Sequence, residues 1–138
     1  MTKTIDEIQI STCKRLEVVD ITEMVEQIVK KSAIQEGSCL VYTGHATGAI
    51  IISENYDPNI GEDIQNCLQA LIPAGKWLHD RIDNNGDSHI KASIIGPGKT
   101  IPLSNGRLCL GQWQNICFCE FDGPRKRNIH VKVMRYAV

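Results

Sequence analysis

His45, His79 and His89 are the side chains of this sequence best suited to bind a metal ion or move a proton. Two of them share one polar stretch, Trp77-Leu-His-Asp-Arg-Ile-Asp-Asn-Asn-Gly-Asp-Ser-His89. The chain has only 4 histidines, so setting two of them among Asp80, Asp83 and Asp87 concentrates imidazole beside carboxylate. Neutral imidazole and carboxylate oxygen are the usual ligands of zinc and related divalent ions, and an open catalytic site uses three protein ligands plus water. The three histidines can supply that set. No His-x-His or His-Glu-x-x-His spacing accompanies them, so they read equally well as polar surface groups or hydrogen-bonded core groups.

Two carboxylates, Glu54 and Asp57, follow the apolar run Ala49-Ile-Ile-Ile52 at the end of an expected strand, where functional groups often sit. Asp57 precedes Pro58 and is suited to capping a helix. Glu54 has no such role and reads as an exposed loop residue or as a general base. Gly96-Pro-Gly-Lys-Thr100 looks superficially like a phosphate loop, but it lacks the Gly-x-x-x-x-Gly-Lys-Ser/Thr frame and precedes a strand pattern, so a nucleotide-triphosphate loop is rejected. In Gly111-Gln-Trp-Gln114 the tryptophan either packs as a core ring, the commoner outcome, or lines a pocket with amide groups beside it.

The elements that must position these groups belong to a chain of 138 residues, the size of one domain spanning 1–138 and long enough to bury a core without staples. Fifteen basic against 16 acidic residues give no pull toward nucleic acid or an anionic membrane. The one basic cluster, Arg125-Lys-Arg127, reads as a solvated hairpin tip. No apolar run approaches the roughly 18 to 20 residues of a membrane span, and Met1-Thr-Lys-Thr-Ile-Asp6 lacks a secretory core, so a cytoplasmic protein is expected. The 6 cysteines mostly lie in apolar patterns and read as buried hydrophobes in a reducing compartment. Cys117 and Cys119 fall on one side of a strand, but no second pair with zinc-site spacing joins them.

Along the chain, residues 4–19 predict two strands separated by a polar segment. Asp20-Ile-Thr-Glu23 has capping-box spacing and opens an amphipathic helix of about 14 residues that Gly37 ends. Cys39-Leu-Val-Tyr-Thr43 and Ala49–Ile52 predict a strand pair or one kinked strand, with His45 at the break between Gly44 and Gly48. Ile60, Ile64, Cys67, Leu68 and Leu71 form one face of a second helix. Ile90–Ile95 predicts a strand that, begun early, carries Asp87 and His89 on one face. Beyond it lie strand patterns at 100–103, 107–110, 114–121 and 128–136, giving two hairpins around Asn105-Gly106 and Asp122-Gly123-Pro124.

Several of these segments together resemble one family: Gly44-His-Ala-Thr-Gly-Ala-Ile-Ile-Ile-Ser-Glu-Asn-Tyr-Asp-Pro58, Asp87-Ser-His-Ile-Lys-Ala-Ser-Ile-Ile-Gly-Pro97, Ile101-Pro-Leu-Ser-Asn-Gly-Arg-Leu-Cys-Leu-Gly-Gln-Trp-Gln114 and Phe118-Cys-Glu-Phe-Asp-Gly-Pro-Arg125. They look like the YjbQ-like family of secondary thiamine-phosphate synthases. The resemblance implies an α+β fold, a β-sandwich of two mainly antiparallel sheets with two main helices, assembled as a homotrimer. It implies a divalent metal, zinc by ligand type or magnesium with a diphosphate substrate, on His45, His79 and His89. It further implies a weak transfer activity that joins a pyrimidine diphosphate to a thiazole phosphate and releases pyrophosphate. Glu54, Asp57 and Asp87 are then the candidate catalytic carboxylates. Thr47, Lys91, Arg107, Trp113 and Gln114 are the candidate contacts to a small phosphate-bearing substrate, with Trp113 stacking on its ring. Ala46 and Gly48 depart from the family's usual His-Thr-Thr-Ala-Ala run, and His130 matches no family site and reads as structural. Two rival readings keep the same pocket: a metal-dependent hydrolase or phosphate-ester enzyme, and a non-enzymatic trimer that binds a small ligand or metal.

Overall fold

Alternation of β-branched and polar residues builds eight strands among the described residues, 5–137 of the computed structural model, and they sort into two antiparallel sheets. The first sheet runs in the order β1 (Asp6–Ser11), β8 (Lys126–Arg135), β3 (Gly37–Tyr42), β5 (Gly98–Ser104), β6 (Arg107–Leu108). The second runs β2 (Glu17–Asp20), β7 (Asn115–Glu120), β4 (Gly48–Ser53). Ile8 and Ile10 of β1 and Ile129 and Val131 of β8 point into the same core as Ile50, Ile116 and Phe118 of the second sheet. That is the two-layer packing expected of a sandwich. Helix α1 (Thr22–Ser32) adds Val25 and Val29 to this core.

Strands adjacent in sequence rarely pair. The chain leaves the first sheet after β1, β3 and β6 to enter the second, and returns after β2, β4 and β7. Of the two hairpins expected near the carboxy terminus, only β5–β6 forms, pairing Leu103 with Leu108 through Asn105 (φ 52) and Gly106 (φ 73). Left-handed backbone at both central positions matches the twist of a two-residue hairpin. The strand pair or single kinked strand expected of β3 and β4, and the β7–β8 hairpin, are corrected to crossings between sheets. Alternation tells which face of a strand is buried but not which sheet it joins. Five residues, 43–47, reach roughly 17 Å when extended, enough for the ~10 Å between stacked sheets.

The outer face of the second sheet is covered by α2 (Asn59–Leu71) and α3 (Gly86–Ile95), where Ala49, Cys119 and Phe121 meet Leu68, Ala92 and Ile95. Helix α2 starts where expected, with the Asp57 carboxylate accepting the Asn59 N–H at 2.9 Å. Its expected apolar face is only partly covered, for Leu71 is 71 % exposed and Cys67 is exposed. Its buried residue is Gln65, whose amide donates to the carbonyls of Glu17 and Glu120, both at 3.0 Å. Helix α1 ends at Ala33 in the left-handed conformation, shorter than expected, and Gly37 begins β3 instead of closing the helix.

The strand expected at Ile90–Ile95 is helix α3. Its inward residues are Asp87, Ser88, Lys91 and Ala92, which follow helical spacing. Three of the four are polar, so a search for apolar periodicity misses the helix and the isoleucines suggest a strand. The Asp80 carboxylate accepts the Gly86 N–H at 2.8 Å and fixes the helix start. No helix among the described residues is long and apolar enough to cross a membrane.

Candidate functional site

His45 stands where β3 has left the first sheet, beside the start of β8. Its Nε2 accepts the Asn128 N–H at 3.0 Å, while the Thr43 hydroxyl donates to the Asn128 carbonyl at 3.2 Å. Two side chains thus complete the hydrogen bonds that a continuing strand would have made. The arrangement requires Nε2 to be unprotonated. Burial, then the nearby Arg127 charge, hold the imidazole below its ordinary value.

His79 and His89 come together. His79 lies in a single 3-10 turn, Leu78–Arg81, and His89 in the first turns of α3. Their rings meet edge to face with centroids 4.5 Å apart. His79 Nε2 is enclosed and has no hydrogen-bond partner, the Asp83 carboxylate standing 3.7 Å from it. Asp80 pins the turn by accepting the Trp77 and Gly86 N–H groups at 3.0 and 2.8 Å. Those bonds, Trp77 first, hold its carboxyl below the usual range.

Asp87 faces the other way. Residues two apart on a helix point to different sides, so α3 separates Asp87 from His89, which a strand would have placed together. Asp87 and Lys91, one turn apart and both fully buried, form an ion pair at 3.2 Å. Lys91 also donates to Gln69 at 2.6 Å. Burial pulls its pKa down against the opposing effect of the Asp87 carboxylate. Arg15, from the β1–β2 crossing, reaches the other Asp87 oxygen at 3.1 Å with 39 % of its side chain exposed.

Glu54, Asp57 and Trp113 converge elsewhere. Ser53 of β4 pairs with Asn115 of β7, so the residues after Ser53 and those before Asn115 leave the second sheet side by side. They line an open depression of about 730 Å³ formed by Glu54, Tyr56, Asp57, Pro58 and Trp113. Trp113 is 55 % exposed and is therefore not a core ring. It meets Tyr56 edge on, with centroids 5.6 Å apart.

The remaining candidates are dispersed. Arg107 lines a separate depression against α1 with Glu26 and Lys30. The Gln114 amide oxygen is occupied by the Gly111 N–H at 2.8 Å. The Thr47 hydroxyl accepts from Arg127 at 2.8 Å inside the core. Among the described residues no three His, Cys, Asp or Glu side chains are placed to hold a metal ion. The expected His45, His79 and His89 set reduces within one chain to the His79–His89 pair, with the Nε2 of His45 occupied. Cys117 and Cys119 are buried and pushed up to about 12, which keeps them as thiols.

Two features were not foreseen. Arg127, expected at a solvated hairpin tip, is 1 % exposed and pairs with buried Glu120 across the two sheets through both Nε and Nη2. The Thr12 hydroxyl donates to the same carboxylate at 2.7 Å. The alternation Arg127, Ile129, Val131 was the available signal, since it puts the arginine on the inward face. Arg15 as a partner of Asp87 left no local signal, because 72 residues separate the two.

A family model described as "UPF0047 protein YjbQ-like" matches residues 6–136. A UPF0047 protein of Archaeoglobus fulgidus is 43% identical over 129 residues, covering 93% of this chain and 99% of that protein. The UPF0047 protein YugU of Bacillus subtilis is 40% identical over 127 residues, covering 92% and 96%. Among solved structures, a YbjQ-like protein of unknown function from Sulfolobus solfataricus P2 superposes with a TM-score of 0.92 at 40% identity, covering 96% of each chain. A hypothetical protein from Aeropyrum pernix K1 gives 0.92 at 35% identity, covering 96% of this chain and 98% of that one.

Proposed function

We infer that this chain, which belongs to the YjbQ-like UPF0047 family, is an enzyme of small phosphate-bearing molecules with the His79–His89 pair as its proton-transfer centre. One observation carries this reading: two imidazoles in ring contact, one with an enclosed nitrogen that no protein group fills. An unfilled buried acceptor or donor costs stability, and a catalytic role is one of the few reasons for a fold to retain one. Imidazole is also the side chain that exchanges a proton most readily near neutral pH.

The reaction is the thiamine-phosphate synthase-like transfer. The thiazole nitrogen attacks the carbon that bears the diphosphate, the C–O bond breaks, and pyrophosphate leaves with the electron pair. Asp87 holds Arg15 at 3.1 Å on the side of α3 away from His89, so this pair orders the fold and not the diphosphate. Protonation by His79 or His89 makes the diphosphate a better leaving group. Lys91, fully enclosed with Asp87 and Gln69, positions Asp87 and does not itself meet the substrate. A divalent ion, zinc or magnesium, would need ligands beyond the two histidines that one chain brings together, and the proton transfer falls to the chain's own side chains.

Assembly as a homotrimer belongs to the same reading. Leu78, Ile82 and Ile94, on the 3-10 turn, just after it and on α3, are 68 to 79 % exposed. Large aliphatic side chains this bare, near the histidine pair, suit burial against another copy.

The test is pyrophosphate release by the purified protein. Release is expected only when pyrimidine diphosphate and thiazole phosphate are both present, falling about 10²- to 10⁴-fold in His79→Ala and His89→Ala. Release from the diphosphate alone would identify a hydrolase instead, and no release under any metal supplement would leave a binding protein.

A further inference from the structure

We propose that the depression between the end of β4 and the turn before β7 is a binding site for an organic cation, a quaternary ammonium or an N-alkylated heteroaromatic ring. Its lining is Glu54, Tyr56, Asp57, Pro58 and Trp113: two aromatic rings, two carboxylates and no cationic side chain. Aromatic faces attract cations through the ring quadrupole, most strongly for Trp. A carboxylate beside them favours a positive charge over a neutral ligand of the same shape.

The rings are accessible and held in place. Tyr56 is 81 % and Trp113 55 % exposed, and their planes meet at 73°. They therefore form a corner in which each ring keeps a free face. The loop carrying Tyr56 is tied down on both sides, by the Asn55 amide donating to Asp20 at 2.8 Å and by Asp57 accepting from Asn59 at 2.9 Å. The turn carrying Trp113 is closed by reciprocal bonds, Gly111 N–H to the Gln114 side chain at 2.8 Å and Gln114 N–H to the Gly111 carbonyl at 3.1 Å. Ordering of these loops is thus largely complete before a ligand arrives, which lowers the entropic cost of binding.

Charge and shape act together. Asp57 is engaged at the start of α2, which leaves Glu54 as the carboxylate free to turn toward a ligand. The ligand class follows from this lining alone and stands whether or not the transfer reaction does.

The test is titration of the whole protein with tetramethylammonium and N-methylpyridinium, read by tryptophan fluorescence and by ligand-observed NMR. The neutral isostere 3,3-dimethylbutanol and sodium chloride at matched ionic strength serve as controls. Saturable binding in the millimolar range is expected for both cations, with the neutral isostere about tenfold weaker. Glu54→Gln is expected to weaken the cations about fivefold, and Trp113→Leu to remove the NMR response with an unchanged melting temperature. Equal binding of the neutral isostere, no saturable response to either cation, or full binding by a folded Trp113→Leu variant would each overturn the proposal.

Discussion

His45 works as a backbone substitute, and that role sets its response to pH. Its Nε2 can accept the Asn128 N–H only while unprotonated, and its pKa in the fold lies below the ordinary 6.5. Between the folded and unfolded values the unfolded chain binds more protons, so stability is fully present above about 6.5 and falls as pH drops through the folded value. Gln offers an acceptor and does not titrate. Melting temperatures of His45→Gln should match wild type at about pH 8 and decline less toward about pH 5; parallel curves would remove His45 from the acid response. The Glu120–Arg127 pair makes the other residue-scale prediction. Both groups are enclosed, so Glu120→Gln leaves a guanidinium unneutralised in the core and should cost about 3 to 5 kcal/mol in urea unfolding. The double change Glu120→Leu with Arg127→Met should cost less than the single one.

At the scale of elements, α3 decides which candidate residues can meet. Its position depends on the Ser88 hydroxyl donating to the Phe121 carbonyl at 2.6 Å and on the Asn85 amide donating to Asp122 at 2.8 Å. Ser88→Ala should lower stability by about 1 to 3 kcal/mol, measured in urea, and slow whatever turnover His89 supports. Helix α3 also marks the limit of what could be read from residue order. Strand positions, the start of α2 and the Asn105-Gly106 hairpin were legible because each is written in local alternation, capping or turn chemistry. The polar inward stripe of α3 was not, since a helix that buries Asp, Ser and Lys has no apolar period to detect. The site followed the same division. Glu54, Asp57 and Trp113 were identified as candidates from local pattern and do share a depression. The Arg15–Asp87 contact and the Glu120–Arg127 bridge depend on how two sheets are stacked, which no local window contains.

For the whole molecule, the bare aliphatic side chains of the 3-10 turn and α3 are where the proposed trimer is tested. Light scattering should give a mass near that of three chains, and Ile82→Glu should shift it toward one, with the secondary structure retained; a wild-type monomer would rule out the trimer. Another consequence lies in the order of the first sheet. Strand β8 sits between β1 and β3 at its interior, pairing Asp6 with Val131 on one side and Gly37 with Arg135 on the other. During synthesis β1 is made well before β8 and has no neighbour in its own sheet until β8 has emerged. Completion of this sheet is therefore held back until β8 is available. In the interval the exposed edges of β1 and β3 are the places where a nascent chain would find the wrong partner.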